Sequence, residues 1–166
     1  MVENGLYIVK DLYFSMFEKY GCKFKYNKHE TRPTFCCIQD RYVEEMFWAI
    51  PTSKITKEKN IDRIKKYINN GRGIEKCFYH KGHTNVPCIF CISSCFPIIE
   101  KYIERPYIVQ GKHLIIRDNQ QNKIIGNKLR RILQAENELN NRFEQKITLI
   151  EEMLIEELKC EKNVNF

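Results

Sequence analysis

The chain has 166 residues, 43% hydrophobic and 30% charged, with 28 Lys and Arg against 21 Asp and Glu for a formal net charge of +7. That is the length of one domain with enough apolar material for a core, and no apolar run is long enough to span a membrane. The charge balance leaves a moderate bias towards polyanionic partners.

The N-terminus reads Met-Val-Glu-Asn-Gly. It carries an acid and no apolar signal region, so a cytoplasmic protein is expected. Leu6-Tyr7-Ile8-Val9 reads as a short strand. Asp11 is placed to cap a helix over residues 12–20 that stops at Gly21. Tyr13, Met16, Phe17 and Tyr20 fall at helical spacing. Met16 and Phe17 are expected to pack on the sheet, while Tyr13, at the start of the helix, can face a cleft.

Residues 22–32, Cys-Lys-Phe-Lys-Tyr-Asn-Lys-His-Glu-Thr-Arg, form a basic loop with interleaved rings. Such a loop is either simply solvated, or it uses Lys28 to track a phosphate backbone and Tyr26 and His29 to stack on unpaired bases. Arg32-Pro33 leads into a strand, Thr34-Phe35-Cys36-Cys37-Ile38. A turn from Asp40 returns the chain as an antiparallel partner ending at Ile50. In such a hairpin, the start of one arm lies near the end of the other, so Arg32 is expected near Ser53.

The run Phe47-Trp48-Ala49-Ile50 suits a buried strand. Pro51 cannot donate to a sheet ladder, so the strand is expected to end there or lie on an edge. Thr52, Ser53 and Lys54 follow as a turn, with Lys57 and Lys59 just beyond. Thr-Ser-Lys is ordinary turn composition. It also offers two hydroxyl donors and a compact positive charge, which suits a phosphate.

Asn60 can cap a basic helix starting at Ile61, with Ile64 and Ile68 on its apolar side and Gly71-Arg72-Gly73 at its end. Cys77-Phe78-Tyr79 reads as a strand, residues 80–85 as a polar hairpin and residues 88–92 as another strand. Ser93-Ser94-Cys95-Phe96-Pro97 bends the chain. Residues 98–103 and 107–109 are short extended segments, and Gln110-Gly111-Lys112 is a turn before Leu114-Ile115-Ile116. Many short strands with polar turns indicate an antiparallel sheet or small barrel.

The period changes after Asp118 or Asn119, either of which can cap a helix. Ile124, Leu129, Ile132 and Leu133 form one stripe, and Ile147, Ile150, Leu154 and Leu158 a second. Two helices are expected, broken near Asn140-Asn141, covering the sheet, with residues 161–166 frayed. The organisation is one domain over residues 1–166, with a β core at 6–117 and C-terminal helices at 119–158.

The eight cysteines are Cys22, Cys36, Cys37, Cys77, Cys88, Cys91, Cys95 and Cys160. In a reducing compartment they are expected as thiols acting as small apolar residues. Cys88-Ile-Phe-Cys91 has the spacing of a zinc half-site, with Cys95 after it and His80 and His83 before it. Strand residues three apart point to opposite faces, which works against shared coordination, so no metal is expected.

Taken in order, several segments resemble the toxins of type III toxin–antitoxin systems, the ToxN/AbiQ/CptN/TenpN family. They are the opening strand and tyrosine-bearing helix, Arg32-Pro33, Trp48-Ala-Ile-Pro-Thr-Ser-Lys54, Cys95-Phe-Pro-Ile-Ile-Glu-Lys-Tyr-Ile103 and the paired terminal helices. The resemblance covers residues 6–155. It implies an α+β fold: a compact, twisted antiparallel β-barrel-like core related to MazF/Kid, with surrounding helices. The implied activity is a metal-independent endoribonuclease without cofactor. The implied partner is a small repetitive RNA antitoxin, folded as a pseudoknot, that assembles with the protein into a closed complex serving phage defence by abortive infection.

By the same resemblance, Ser53 matches the active-site serine, Thr52 its neighbouring hydroxyl and Lys54 the lysine after them, with Lys57 as the alternative. Arg32 matches a basic residue before the strand, and Tyr13 an N-terminal tyrosine at the cleft. His29, with Tyr26 nearby, stands where some relatives carry a loop tyrosine. The implied reaction is attack by the substrate's own 2′-hydroxyl. Thr52 and Ser53 would hold the non-bridging oxygens, Lys54 and Arg32 would balance charge, and His29 or Tyr13 would move protons. A non-catalytic RNA-binding small-barrel module is the alternative from charge and rings alone. A zinc-stabilised domain on Cys88, Cys91, Cys95 and His83 is a second.

Overall fold

The longest strand organises the sheet. The computed structural model describes residues 1–25, 32–54 and 61–164, and β3 (Met46–Lys54) lies at its centre. One flank of β3 pairs with β2 (Thr34–Gln39), Thr34 standing opposite Pro51. Its other flank pairs first with β6 (Phe96–Ile99), up to Ala49 opposite Phe96, and then with β5 (Pro87–Cys91), from Thr52 opposite Phe90. β5 and β6 are therefore consecutive neighbours along one flank. Between them, a 3-10 turn at Ile92–Ser94 swings away from Ile50 and Pro51.

This placement corrects two expectations. The strand does not end at Pro51, and Thr52, Ser53 and Lys54 are not a turn but ladder residues opposite Phe90, Ile89 and Cys88. The physical reason is the change of partner. A residue that cannot donate to a ladder sits where the ladder on that flank is interrupted.

The sheet is completed by β1 (Gly5–Val9) on β2, β7 (Ile103–Pro106) on β1 and β4 (Tyr79–His83) on β5, all antiparallel. Its seven strands follow the path β4-β5-β3-β2-β1-β7 with β6 beside β3. Among the described residues that path is open at β4 and β7, so no closed barrel is present; the class is α+β with a large antiparallel sheet. A separate hairpin joins β8 (Ile108–Val109) to β9 (Lys112–His113). Gln110 and Gly111 both have positive φ there, as a two-residue hairpin turn requires. The strand expected at Leu114 reduces to a single bridge, Ile115 to Gly5.

Helices lie on both faces of the sheet, which explains why its central strands are apolar throughout. On one face, Tyr13, Phe14 and Phe17 of α1 (Asp11–Glu18) and Ile150 and Leu154 of α4 (Ile147–Val164) pack with Tyr7, Phe47, Ala49 and Phe96. On the other, Ile125, Leu129 and Ile132 of α3 (Asn119–Glu138) pack with Leu6, Trp48, Ile50 and Phe90. α2 (Ile61–Asn70) adds Ile64 to Tyr79, Ile89 and Cys91.

Asp118 caps α3 by accepting from Gln121 N at 2.9 Å. Asp11 is not a cap but the first residue of α1, after Lys10. Residues 73–77, read in part as strand, form a 3-10 turn. α4 runs on to Val164 rather than fraying from residue 161. Lys101 pairs with Glu157 and Glu161, and Lys162 with Glu45, which holds that last stretch down. The cap expected at Asn60 lies outside the described residues.

One buried carboxylate joins α3 to α4. Glu136 is 2% exposed. It accepts from Asn141 N at 2.7 Å, Arg142 N at 3.1 Å, Thr148 N at 3.1 Å and Thr148 Oγ1 at 2.8 Å. The orphan donors of a loop and of a helix start are satisfied together, and residues 142–145 are set against the sheet. Glu136→Ala strips four donors of their acceptor and should lower stability by about 3 kcal/mol, read as the urea midpoint. A variant that melts with the native protein would show that this carboxylate is not what holds the connection.

Candidate functional site

The pairings of β3 decide which face Ser53 takes. Thr34 lies opposite Pro51, where the pairing of β2 with β3 ends, and Arg32 stands two residues before β2 begins. Directly opposed residues of an antiparallel pair share a face. Pro51 and Ser53, two apart in one strand, also share a face. Thr34, Pro51 and Ser53 therefore share one face.

The neighbouring hydroxyl and lysine leave the other way. Thr52 lies between Pro51 and Ser53 in a strand, so it projects to the opposite face, and so does Lys54. This separates Thr52 and Lys54 from Ser53, against the expectation that all three converge on one phosphate. Thr52 is 5% exposed, and its Oγ1 donates to Pro33 O at 2.8 Å, which ties down the lead-in to β2 just after Arg32. Lys54 is exposed. Ser53 is 4% exposed, opposite Ile89 in the part of the sheet that α2 packs on.

Tyr13 does not face a cleft. It is fully buried, and its hydroxyl donates to Pro97 O at 2.5 Å. Burial holds its pKa well above the usual phenol value. Its ring packs against Phe14, Phe17, Phe24, Phe96 and Tyr102. Helical periodicity put it on the inward side of α1 with Phe17, and the cluster closed over it. Tyr26, Lys28, His29, Lys57 and Lys59 lie outside the described residues.

Beside Thr34 and Pro51 is a cavity of about 220 Å³, lined by Arg32, Thr34 and Pro51 but not by Ser53. Among the described residues its cations are Lys23, Lys25, Arg32, Arg63 and Arg142, against a single carboxylate, Glu144. Rings from several elements line it, among them Phe24, Tyr67, Phe78 and Phe143. Ser93 and Ser94 enter it from the turn that swings away from β3. Phe14, Phe24 and Phe96 line it too, so Tyr13 stands one layer behind its wall.

The segment after α1 is bound to the α3–α4 connection. Lys23 N donates to Glu144 O at 2.9 Å, Lys25 pairs with Glu144 at 2.9 Å, and Lys146 Nζ donates to Tyr20 O at 2.9 Å. Arg63, Arg142, Ser93, Ser94 and Gln145 were not expected in the site. Arg63 is visible in the sequence as part of a basic helix. Nothing local marks Arg142, which lines the cavity and whose backbone N–H donates to Glu136.

The cysteines show no such convergence. Cys88 and Cys91 pack in different clusters. Burial pushes the Cys88 thiol up to about 11, against a smaller lowering by Thr84. Among the described residues, no three His, Cys, Asp or Glu side chains are gathered as a metal site. No protein-family model matches the chain, and no curated protein matches it.

The cation cluster acts on Glu144. The hydrogen bond and charge of Lys25, then Lys23 and Arg63, hold its carboxyl below the ordinary 4.5. A depressed carboxyl contributes stability above 4.5, and that contribution disappears as pH falls through the lower folded value. The Glu144 carboxyl carbon should therefore titrate below 4.5 by NMR and move back towards it in high salt, because the pair is exposed and screened. A titration at or above 4.5 in low salt would contradict the cluster.

Proposed function

We propose that the chain is a metal-independent endoribonuclease toxin, held in check by a small repetitive RNA that folds as a pseudoknot and closes into an assembly with it. The observation that carries this reading is the cavity beside Thr34 and Pro51, where, among the described residues, five cations face one carboxylate. An excess of fixed positive charge with rings between is suited to a single strand of RNA. The order of segments that resembles the type III toxins supplies the chemistry, and a MazF-like core is part of the same proposal.

In this mechanism the 2′-oxygen attacks the adjacent phosphorus and the bond to the 5′-oxygen breaks. The proton leaves the 2′-hydroxyl and another reaches the departing 5′-oxygen. The products are a 2′,3′-cyclic phosphate and a 5′-hydroxyl end. Ser53 donates to a non-bridging oxygen, and Arg32, with Arg63 and Arg142, balances the charge that develops. Thr52 positions Arg32 by fixing Pro33. Lys54 and Lys57 add to the positive field. Tyr13 is committed to Pro97 and deeply buried, which leaves His29 for proton transfer.

RNA binding without cleavage is the second reading, favoured by one observation: Ser53 and Thr52 are 4% and 5% exposed. The two readings separate on the product ends. Purified protein should cut generic RNA to 2′,3′-cyclic phosphate and 5′-hydroxyl termini, and should do so undiminished in EDTA. Ser53→Ala should abolish both the cuts and growth arrest, with RNA still bound. Intact RNA with the native protein would leave only binding, and full toxicity in Ser53→Ala would remove Ser53 from the mechanism.

A further inference from the structure

The cavity carries an acceptor that the cleavage reaction does not use. Gln145 is 5% exposed and lines the cavity. Its Nε2 donates to Ser93 O at 2.9 Å and to Cys95 O at 2.8 Å. Two carbonyl partners admit only one orientation of the amide, with the NH₂ group towards them and Oε1 away. Oε1 takes no donor among the described residues. Asn122 Oδ1 is the one buried side-chain atom without a partner among those residues. Gln145 Oε1 is therefore not sealed off, and Gln145 lines the cavity.

The rest of the lining fits a flat, charged ligand. Phe24, Tyr67, Phe78 and Phe143 present rings, and Arg32 and Arg142 present guanidinium groups. One water needs about 10–15 Å³ of accessible space. The 220 Å³ cavity therefore holds on the order of fifteen to twenty water-sized groups, which is the scale of one nucleoside and far below a duplex.

We propose that this cavity is a subsite for a single unstacked nucleotide whose base bears an exocyclic amine, with that amine donating to Gln145 Oε1 and the phosphate resting on Arg32 and Arg142. The subsite rests on the reading of the chain as RNA-directed and names which nucleotide the site selects. Uracil fits poorly, because its one N–H donor is flanked by two carbonyl oxygens that would face Oε1. The amide cannot rotate to offer uracil a donor without losing both carbonyl bonds.

The test uses the intact protein and isothermal titration with AMP, CMP, UMP, N6,N6-dimethyl-AMP and inorganic phosphate. AMP and CMP should bind about fivefold tighter than UMP, the scale of one net hydrogen bond. Dimethylation should cost AMP a similar factor, and inorganic phosphate should compete far more weakly than AMP. Gln145→Met, close in volume and without an amide, should erase the difference between AMP and UMP. Equal affinity of the native protein for AMP, UMP and the dimethyl analogue would overturn the proposal, as would phosphate competing as well as AMP; neither arm depends on a variant that folds. If the preference is found but RNA is not cut, the nuclease reading falls and the subsite stands. If RNA is cut and the preference is absent, the subsite falls alone.

Discussion

Everything about the site follows from β3 changing its partner at Pro51. Up to Ala49 its outer flank is bonded to β6, and from Thr52 it is bonded to β5. The chain joining those two strands must leave the ladder between them, and it does so as the 3-10 turn that carries Ser93 and Ser94 into the cavity. A proline at that position removes a donor where the ladder is already broken. The same continuity keeps Ser53 in a strand, which fixes its face.

The connection between α3 and α4 closes the other wall. A carboxylate buried among backbone N–H groups is an effective clamp, because charge-assisted bonds are stronger than neutral ones and their loss leaves several donors without partners. Glu136 uses that clamp to hold residues 142–145 against the segment after α1. Gln145 then takes two carbonyls of the β5–β6 connection, so both walls are bonded to each other through backbone oxygens. A cavity bounded in this way is organised before any ligand arrives, which reduces the ordering cost of binding.

Charge is distributed by the same packing. Among the acids of α4, Glu157 and Glu161 are engaged by Lys101 and Glu157 also by Tyr102. Those acids are spent locally, away from the five cations that line the cavity. A net charge of +7 therefore understates how positive this one surface is, and local charge is what an incoming polyanion meets within a Debye length.

Sequence by itself determined the periodic parts. The apolar runs at β1, β2 and β3, the stripes of α3 and α4, the cap at Asp118 and the antiparallel pairing of β2 with β3 all follow from spacing and residue type. What tertiary structure decided is everything that depends on residues far apart in the chain. That Thr52 and Ser53 part to opposite faces follows only once β5 is seen to pair beyond Pro51, because proline, threonine and serine are locally a stop signal. Tyr13 went to the core because helix α1 and strand β6 met over it. Arg63, Arg142 and Gln145 entered the site because an open sheet with helices on both faces brings its strand ends, α2 and the α3–α4 connection to one place, and no local pattern encodes that meeting.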